Sequence, residues 1–337
     1  STILGSVPAE RLLGGSDVYM PITPMFHVHA WGMPYLATLL GLKQVYPGRY
    51  EPERLVALWE REQVTFSHCV PTILQMLLNA PNAQGTDFKG WKIIVGGSAL
   101  SRTLFAAAKA RGIELMGAYG MSETGPLVAC AHLDDHACAG PEDERISHRI
   151  RAGVPGPLVE VALVDEHGQF LAHDGETQGE LVLRAPWLTG SYLHEPEKGA
   201  ELWAGGWLHT GDVATLDRRG AIDIRDRIKD VIKSGGEWVS SLELEDLIGR
   251  HAQVREVAVV GVPDAQWGER PVAMLVLAED ARLDAEALKY HLQPFVDAGS
   301  LRPWAVPAQV VLVTEIPKTS VGKLDKKRIR HQVSQTL

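Results

Sequence analysis

Four short stretches of the chain combine residue types that handle phosphate, sugar and carboxylate chemistry. Tyr119-Gly120-Met121-Ser122-Glu123-Thr124-Gly125 offers an aromatic face, a flexible glycine, two hydroxyls and a carboxylate within seven residues. Placed after a strand, such a loop can stack a base, bond a phosphate and hold a divalent metal through the acid. The simpler alternative is a polar turn with a Ser or Thr cap. Trp207-Leu208-His209-Thr210-Gly211-Asp212 puts an acid after a Thr-Gly turn, where it could accept hydrogen bonds from ribose hydroxyls, or merely close an Asx-type turn. Asp226-Arg227-Ile228-Lys229-Asp230 alternates charges and reads by default as a charged linker. Pro317-Lys318-Thr319-Ser320-Val321-Gly322-Lys323 is a Gly-containing loop ending in Lys, without the spacing of a Walker loop. Lys326, Lys327, Arg328 and Arg330 follow it and suggest a solvated basic face. None of the four decides a function alone.

The elements that must carry these stretches fall into three regions. Between about residues 17 and 120, short apolar runs alternate with amphipathic segments. Strands are expected at Lys43 to Tyr46, Val64 to Val70, Lys92 to Val95 and Ile113 to Met116. Helices are expected at Glu53 to Glu62 behind Pro52, at Thr72 to Asn79, and from the N-cap Ser101 to Arg111 with Gly112 as its stop. That alternation predicts an α/β region built on a mostly parallel sheet, whose ligands sit at the carboxyl ends of the strands. Gly96-Gly97-Ser98-Ala99 and Ala118-Tyr119-Gly120 both fall at such ends.

From about 153 to 225 the segments Leu158 to Asp165, Gly179 to Arg184, Trp207 to Asp217 and Ala221 to Arg225 read as short strands of a small β subdomain, with a hairpin loop at Asp217 to Gly220. After Arg227 comes an α+β unit. Ser240 and Glu243 form a capping box ahead of a helix to Arg250. Strands at Val254 to Val262 and Val272 to Leu277, a helix at Asp284 to Ala298 and a strand at Gln309 to Val313 complete it. The expected domains are thus 1–152, 153–226, a linker at 227–232, and 233–337.

Composition narrows the class further. The 337 residues suffice for two or three compact domains, and 45% hydrophobic with 22% charged residues is ordinary for a globular protein. A formal net charge of −9 argues against a general nucleic-acid or anionic-membrane surface. Three cysteines, Cys69, Cys130 and Cys138, form no CxxC pair and suit a reducing compartment. No apolar run reaches the length of a membrane span, so a cytoplasmic setting is expected.

Taken in order and spacing, the four stretches resemble the adenylate-forming superfamily, and within it the medium- and long-chain fatty acyl-CoA ligases. The resemblance runs from Pro24-Met25-Phe26-His27-Val28-His29-Ala30-Trp31-Gly32, through Asp230-Val231-Ile232-Lys233-Ser234-Gly235-Gly236-Glu237-Trp238, to Lys323. It implies the remainder of a large adenylating domain followed by a mobile α+β C-terminal domain. It also implies a reaction in which ATP activates a fatty acid as acyl-AMP and the acyl group then passes to coenzyme A, with magnesium present. Adenine would sit against Gly97, Ser98, Ala99 and the Tyr119-Gly120 region. Ser122 and Thr124 would face phosphate, and Glu123 would carry the metal. Asp212 and Arg227 would hold ribose, with Lys233 and Trp238 near the nucleotide. Lys323 would be the catalytic cation between acyl carboxylate and α-phosphate. Lys229 occupies the family's hinge position, and Gly235 with Gly236 would line the tunnel for coenzyme A. Trp31 would close the mouth of the acyl tunnel, with His27, Val28 and Gly96 beside the acid. His27 is weighed as a positioning group rather than a base, since a carboxylate is already deprotonated at neutral pH; a satisfied core histidine is its plainer alternative.

The chain departs from the family in one respect. The family's Ser/Thr/Gly-rich phosphate loop precedes the stretch corresponding to Pro24 by a few tens of residues, and Ser1 to Pro24 contains nothing like it. The opening STILGS, without an initiator Met, reads as the inside of a helix. The expectation is therefore a fragment, or a chain paired with the missing segment. Aryl-acid or amino-acid adenylation, and a non-catalytic nucleotide- or acyl-binding role, stand as the competing readings. Phe26-His27-Val28-His29 lacks the carboxylate that amino-acid activators place near the start of the pocket, which ranks that branch lower. The expected partners are small molecules (fatty acid, ATP and coenzyme A), with no nucleic acid and no integral membrane segment; the family also allows a homodimer.

Overall fold

A computed structural model describes residues 13–131, 140–319 and 323–336. The chain divides into two compact units, Ser1–Thr210 with Ala214–Ile224, and Gly211–Val213 with Arg225–Leu337.

The first unit is built on a seven-stranded sheet with strands β1 (Val18–Pro21), β2 (Lys43–Gln44), β3 (Phe66–Cys69), β4 (Lys92–Val95), β5 (Glu114–Tyr119), β6 (Ala129–Cys130) and β7 (Val154–Pro155), in the order β2-β1-β3-β4-β5-β6-β7. The pairs from β2 through β5 are parallel, and β5-β6 and β6-β7 are antiparallel. This is the mostly parallel α/β sheet expected from the alternation of apolar runs and amphipathic segments. Each helix that covers it has a local cause. Pro52–Glu62 begins with Pro at its first turn and ends where Gln63 turns left-handed (φ 56°). Arg102–Lys109 is capped by Ser101, whose side chain accepts from the Leu104 amide. Apolar residues fill both faces of the sheet, Trp91, Phe88, Leu74 and Ile93 on one side and Phe66, Met33, Leu36 and Ile94 on the other. That two-sided burial is why Ile93, Ile94 and Val95 of β4 read as a continuous apolar run.

Strands β8 (Glu160–Val164), β9 (Gly179–Arg184), β10 (Leu208–Leu216) and β11 (Ile222–Arg227) form a four-stranded sheet in the order β11-β10-β9-β8, with Leu163, Leu181, Leu183 and Leu208 in its core. The turn between β10 and β11 is tied by Asp217, whose carboxylate accepts from the Arg219 and Ala221 amides.

In the second unit, β12 (Ile232–Ser234), β13 (Glu237–Val239), β14 (Val254–Asp264), β15 (Gly268–Leu277) and β16 (Gln309–Leu312) form a sheet in the order β13-β12-β15-β14, with β16 parallel to β15. Helices Ser241–Gly249 and Ala285–Asp297 supply Leu244, Ile248, Leu288 and Leu292 to one core. Helix Lys326–Thr336 supplies Ile329 and Val333 to another. Here the expectation of a solvated basic face holds for Lys327 and Arg328, which are exposed, and fails at Lys326. The cationic run is the start of an amphipathic helix whose apolar stripe is only two residues wide, at i and i+4. Lys326 itself is turned inward, 2.9 Å from Glu245, with side-chain exposures of 10% and 11%.

Candidate active site

The four parallel strands β1, β3, β4 and β5 present their carboxyl ends on one edge, and the first group of expected site residues gathers there. Gly96 follows β4, Tyr119 ends β5 and Gly120 comes next. Gly96 is in close quarters: a Cβ on it would lie 2.9 Å from the Ala118 carbonyl and 3.3 Å from Cη2 of Trp31. The two strand-end loops and the Trp31 indole therefore meet at a point where only glycine fits. Gly97, Ser98 and Ala99 are exposed beside it. Gly120 is equally constrained, since a Cβ would sit 1.8 Å from the Pro126 carbonyl, so the Tyr119–Gly125 loop folds back on itself here.

Within that loop the hydroxyls and the acid divide their work. Thr124 is fully buried; its hydroxyl donates to the Pro126 carbonyl (2.7 Å) and accepts from the Met121 amide (2.9 Å). Ser122 is exposed. Glu123 Oε1 accepts from the Tyr192 hydroxyl at 2.7 Å, and the Trp187 indole N–H donates to the Thr124 carbonyl at 3.1 Å. The neighbouring Glu123 carboxylate pushes the Tyr192 phenol up to about 12. Sequence reasoning missed Tyr192, which lies 69 residues from its partner.

His27 and Val28 are half-buried, and His27 donates its amide to the Pro24 carbonyl at 2.9 Å. The core histidine of this region is His68, which the sequence did not single out. It is fully buried near the end of β3, with its ring centroid 5.0 Å from that of Trp31. Burial alone holds the imidazole down to about 3. The unfolded chain binds a proton at His68 below its ordinary value of 6.5 while the folded chain does not, so stability falls with acidification from about pH 6.5 towards 3. Between pH 6.5 and 5 this one group removes about 1.5 kcal/mol. Urea unfolding of wild type and His68→Gln at both pH values measures it. The variant should lose less stability than wild type over that interval, and equal losses would exclude a neutral buried imidazole.

A second group lies within the second unit. Asp212, 5% exposed on β10, meets the Arg227 guanidinium at the end of β11, with Nε to Oδ1 3.3 Å. Lys323 senses both charges. Burial, then repulsion from Arg227, lowers its ammonium below the usual lysine range, while Asp212 pulls it back up. A half-buried cation near an acid and a second cation can grip a polyanion. Residues Ser320, Val321 and Gly322 of the loop preceding Lys323 lie outside the described residues, as do Cys138 and the opening STILGS. Lys229 is exposed, and its carbonyl accepts from Arg330 at 3.0 Å.

The third group is the hairpin of β12 and β13. Lys233 and Trp238 are direct cross-strand partners, both exposed, so their side chains share one face. Gly235 and Gly236 make the turn between them (φ 62° and 84°), and Gly235 is covered by the Trp267 ring. Among the described residues, no three His, Cys, Asp or Glu side chains gather as a metal cage. Glu123 is a single carboxylate beside an exposed serine, a donor set suited to a magnesium ion that keeps most of its water and arrives with phosphate.

The parallel sheet with loops at its carboxyl ends, followed by a compact α+β unit carrying a half-buried lysine, defines an adenylate-forming fold. The chain belongs to the AMP-binding enzyme family, matching its family model over residues 2–193 and that of the AMP-binding enzyme C-terminal domain over residues 243–323. It is 41% identical over 334 residues to a long-chain-fatty-acid–CoA ligase of Thermus thermophilus, covering 98% of this chain and 61% of the relative. To a 3-methylmercaptopropionyl-CoA ligase of Ruegeria pomeroyi it is 40% identical, covering 95% of this chain and 59% of the relative. Among solved structures, the amide bond synthetase McbA from Marinactinospora thermotolerans superposes with a TM-score of 0.84 at 30% identity, covering 98% of this chain and 65% of that one. The chain thus spans about 60% of the length of the curated relatives it matches.

Proposed function

We propose that the protein to which this chain belongs is an ATP-dependent acid–thiol ligase that converts a medium- or long-chain fatty acid to its acyl-CoA. The observation that carries this reading is the clustering of Lys323 with Arg227 and Asp212. In the first half-reaction an acyl carboxylate oxygen attacks the α-phosphorus of ATP, the bond to the β-phosphate breaks, and pyrophosphate leaves. Two anions must approach each other, and a fixed ammonium lowers the charge that builds up between them. In the second half-reaction the sulfur of coenzyme A attacks the acyl carbonyl, AMP leaves, and the thiol proton passes to solvent.

Asp212 and Arg227 are assigned to ribose, the Gly97–Ala99 and Tyr119 loops to adenine, Ser122 to phosphate and Lys233 with Trp238 to the nucleotide. Thr124 shapes the loop that presents Ser122. Gly235 and Gly236 are assigned to the path of the pantetheine arm. Glu123 would hold magnesium, which would supply charge neutralisation on the phosphates. Tyr192 restrains the Glu123 carboxylate, so Tyr192→Phe should raise the magnesium concentration for half-maximal rate by about tenfold. A titration of rate against free magnesium that superposes on wild type would remove Tyr192 from this role.

The acid is assigned as aliphatic on two grounds. The Phe26–His29 stretch carries no carboxylate for a substrate amine, and the wall at Gly96 is the indole of Trp31. The Thermus relative is named for long-chain fatty acids and the Ruegeria relative for a short thioether acid, both aliphatic. AMP release by the full-length protein, measured with acetate, octanoate, palmitate and benzoate, tests the assignment. A maximum on octanoate or palmitate supports it; a maximum on benzoate, or release without coenzyme A, moves the protein to another branch.

A further inference from the structure

Trp31 reaches its position by an unusual route. Val28, His29, Ala30 and Trp31 all have φ between 47° and 56°, giving four consecutive non-glycine residues in the left-handed region. Each such residue costs about 1–2 kcal/mol, so the turn persists only where its surroundings over-determine it. Those surroundings include Gly96, where a Cβ would be 3.3 Å from Cη2 of the indole, and the His68 ring, tilted against the indole at a centroid distance of 5.0 Å.

His68 is itself held rigidly. Its Nδ1 is 3.0 Å from Thr23 Oγ1 and its Nε2 is 2.7 Å from the Tyr19 hydroxyl, and all three residues are no more than 1% exposed. The Thr23 hydroxyl donates to the His68 carbonyl at 3.3 Å, so it accepts from Nδ1–H, which leaves Nε2 to accept from Tyr19. Every ring nitrogen of a neutral imidazole is satisfied in one tautomer. A buried polar network of this kind gains little stability over an apolar filling, but it fixes one orientation.

We propose that His68 is a positioning residue which, through the Tyr19–His68–Thr23 network, holds the Trp31 indole against Gly96 and thereby sets the chain length of the acid the protein accepts. The proposal rests on the fatty-acid reading above. With the imidazole in place the indole cannot swing towards β3, and the acyl tail must follow a path bounded by its edge. Without the imidazole a space about one ring in size opens behind Trp31, and longer or bulkier tails enter.

The test uses the full-length protein and compares kcat/KM for octanoate and palmitate in wild type, His68→Ala, His68→Gln and Thr23→Val, with thermal unfolding of each. His68→Ala should shift the palmitate-to-octanoate ratio towards palmitate by about tenfold. His68→Gln, whose amide can donate to Thr23 and accept from Tyr19, should stay within about twofold of wild type. Thr23→Val should shift the ratio in the same direction as His68→Ala but less. An equal loss on both acids in His68→Ala, with the ratio unchanged, would mean a merely structural histidine and overturn the proposal. Should His68→Ala fail to fold, the Thr23→Val ratio decides: a shift supports the proposal and an unchanged ratio overturns it. Absence of any preference among aliphatic acids in the wild type would instead remove the fatty-acid reading, and the proposal with it.

Discussion

Lys323→Ala should lower the rate of acyl-adenylate formation by about 10²–10³-fold while leaving conversion of a supplied acyl-adenylate to acyl-CoA close to wild type. The asymmetry follows from where charge develops. Formation of the adenylate brings a carboxylate against a phosphate, and a half-buried ammonium is worth most there because little water competes with it. The thiol step starts from a mixed anhydride that is already reactive, and the anion that leaves is AMP. Lys323 has the right surroundings for the first task, beside the Asp212–Arg227 pair and with its ammonium lowered by burial and by Arg227. Rapid-quench measurement of the two half-reactions separates the outcomes. Equal losses in both would show that Lys323 does not act on the adenylation step selectively.

Three residues further on, Lys326→Met should destabilise the second unit by about 3–5 kcal/mol, the usual cost of leaving one member of a buried pair alone. Lys326 lies 2.9 Å from Glu245 and also donates to Ser241, whose hydroxyl donates to the buried Asp226 at 2.5 Å. Glu245 in turn accepts from the Val259 amide at 2.8 Å. Burial already raises the Glu245 carboxyl, with Lys326 opposing that rise, so removing the ammonium takes away its main compensation. Adding Glu245→Gln, which keeps an acceptor for Val259, should recover most of the loss. Chemical unfolding of the two variants decides. A loss under about 1 kcal/mol in the single variant, or no recovery in the double, would show that the pair is not a coupled buried unit.

Much of the fold was legible because its signals are local. Lys92–Val95 and Gly179–Arg184 coincide residue for residue with the expected strands. Ser101, Ser240 and Asp284 each accept the helix amide that their N-cap position demands. What escaped depends on partners distant in sequence. Ala129–Cys130 and Val154–Pro155 are two-residue strands defined by the neighbours they pair with, not by any pattern of their own. Helix Glu142–Ile150 buries no residue fully, and its apolar stripe is only Ile146 and Ile150 among charged neighbours. In helix Lys326–Thr336 the stripe of Ile329 and Val333 was hidden among cations, one of which is itself buried.

At the candidate site, motif order nominated the residues proposed for the chemistry, while the contacts that surround them were not legible. The Tyr192 contact to Glu123 and the Tyr19–His68–Thr23 network join residues 45 to 69 positions apart. A left-handed turn at Val28–Trp31 has no glycine inside it to announce it, and only the packing of Trp31 explains why it holds.

The central claim is that this protein activates its acid as an adenylate. Incubating the full-length protein with octanoate, magnesium and ATP labelled at the α-phosphate, without coenzyme A, tests it most directly. The account predicts labelled octanoyl-AMP and pyrophosphate, with the label passing to free AMP and an equal amount of octanoyl-CoA appearing once coenzyme A is added. Release of ADP and inorganic phosphate, or labelled AMP appearing with no acyl-adenylate before it, would contradict the account.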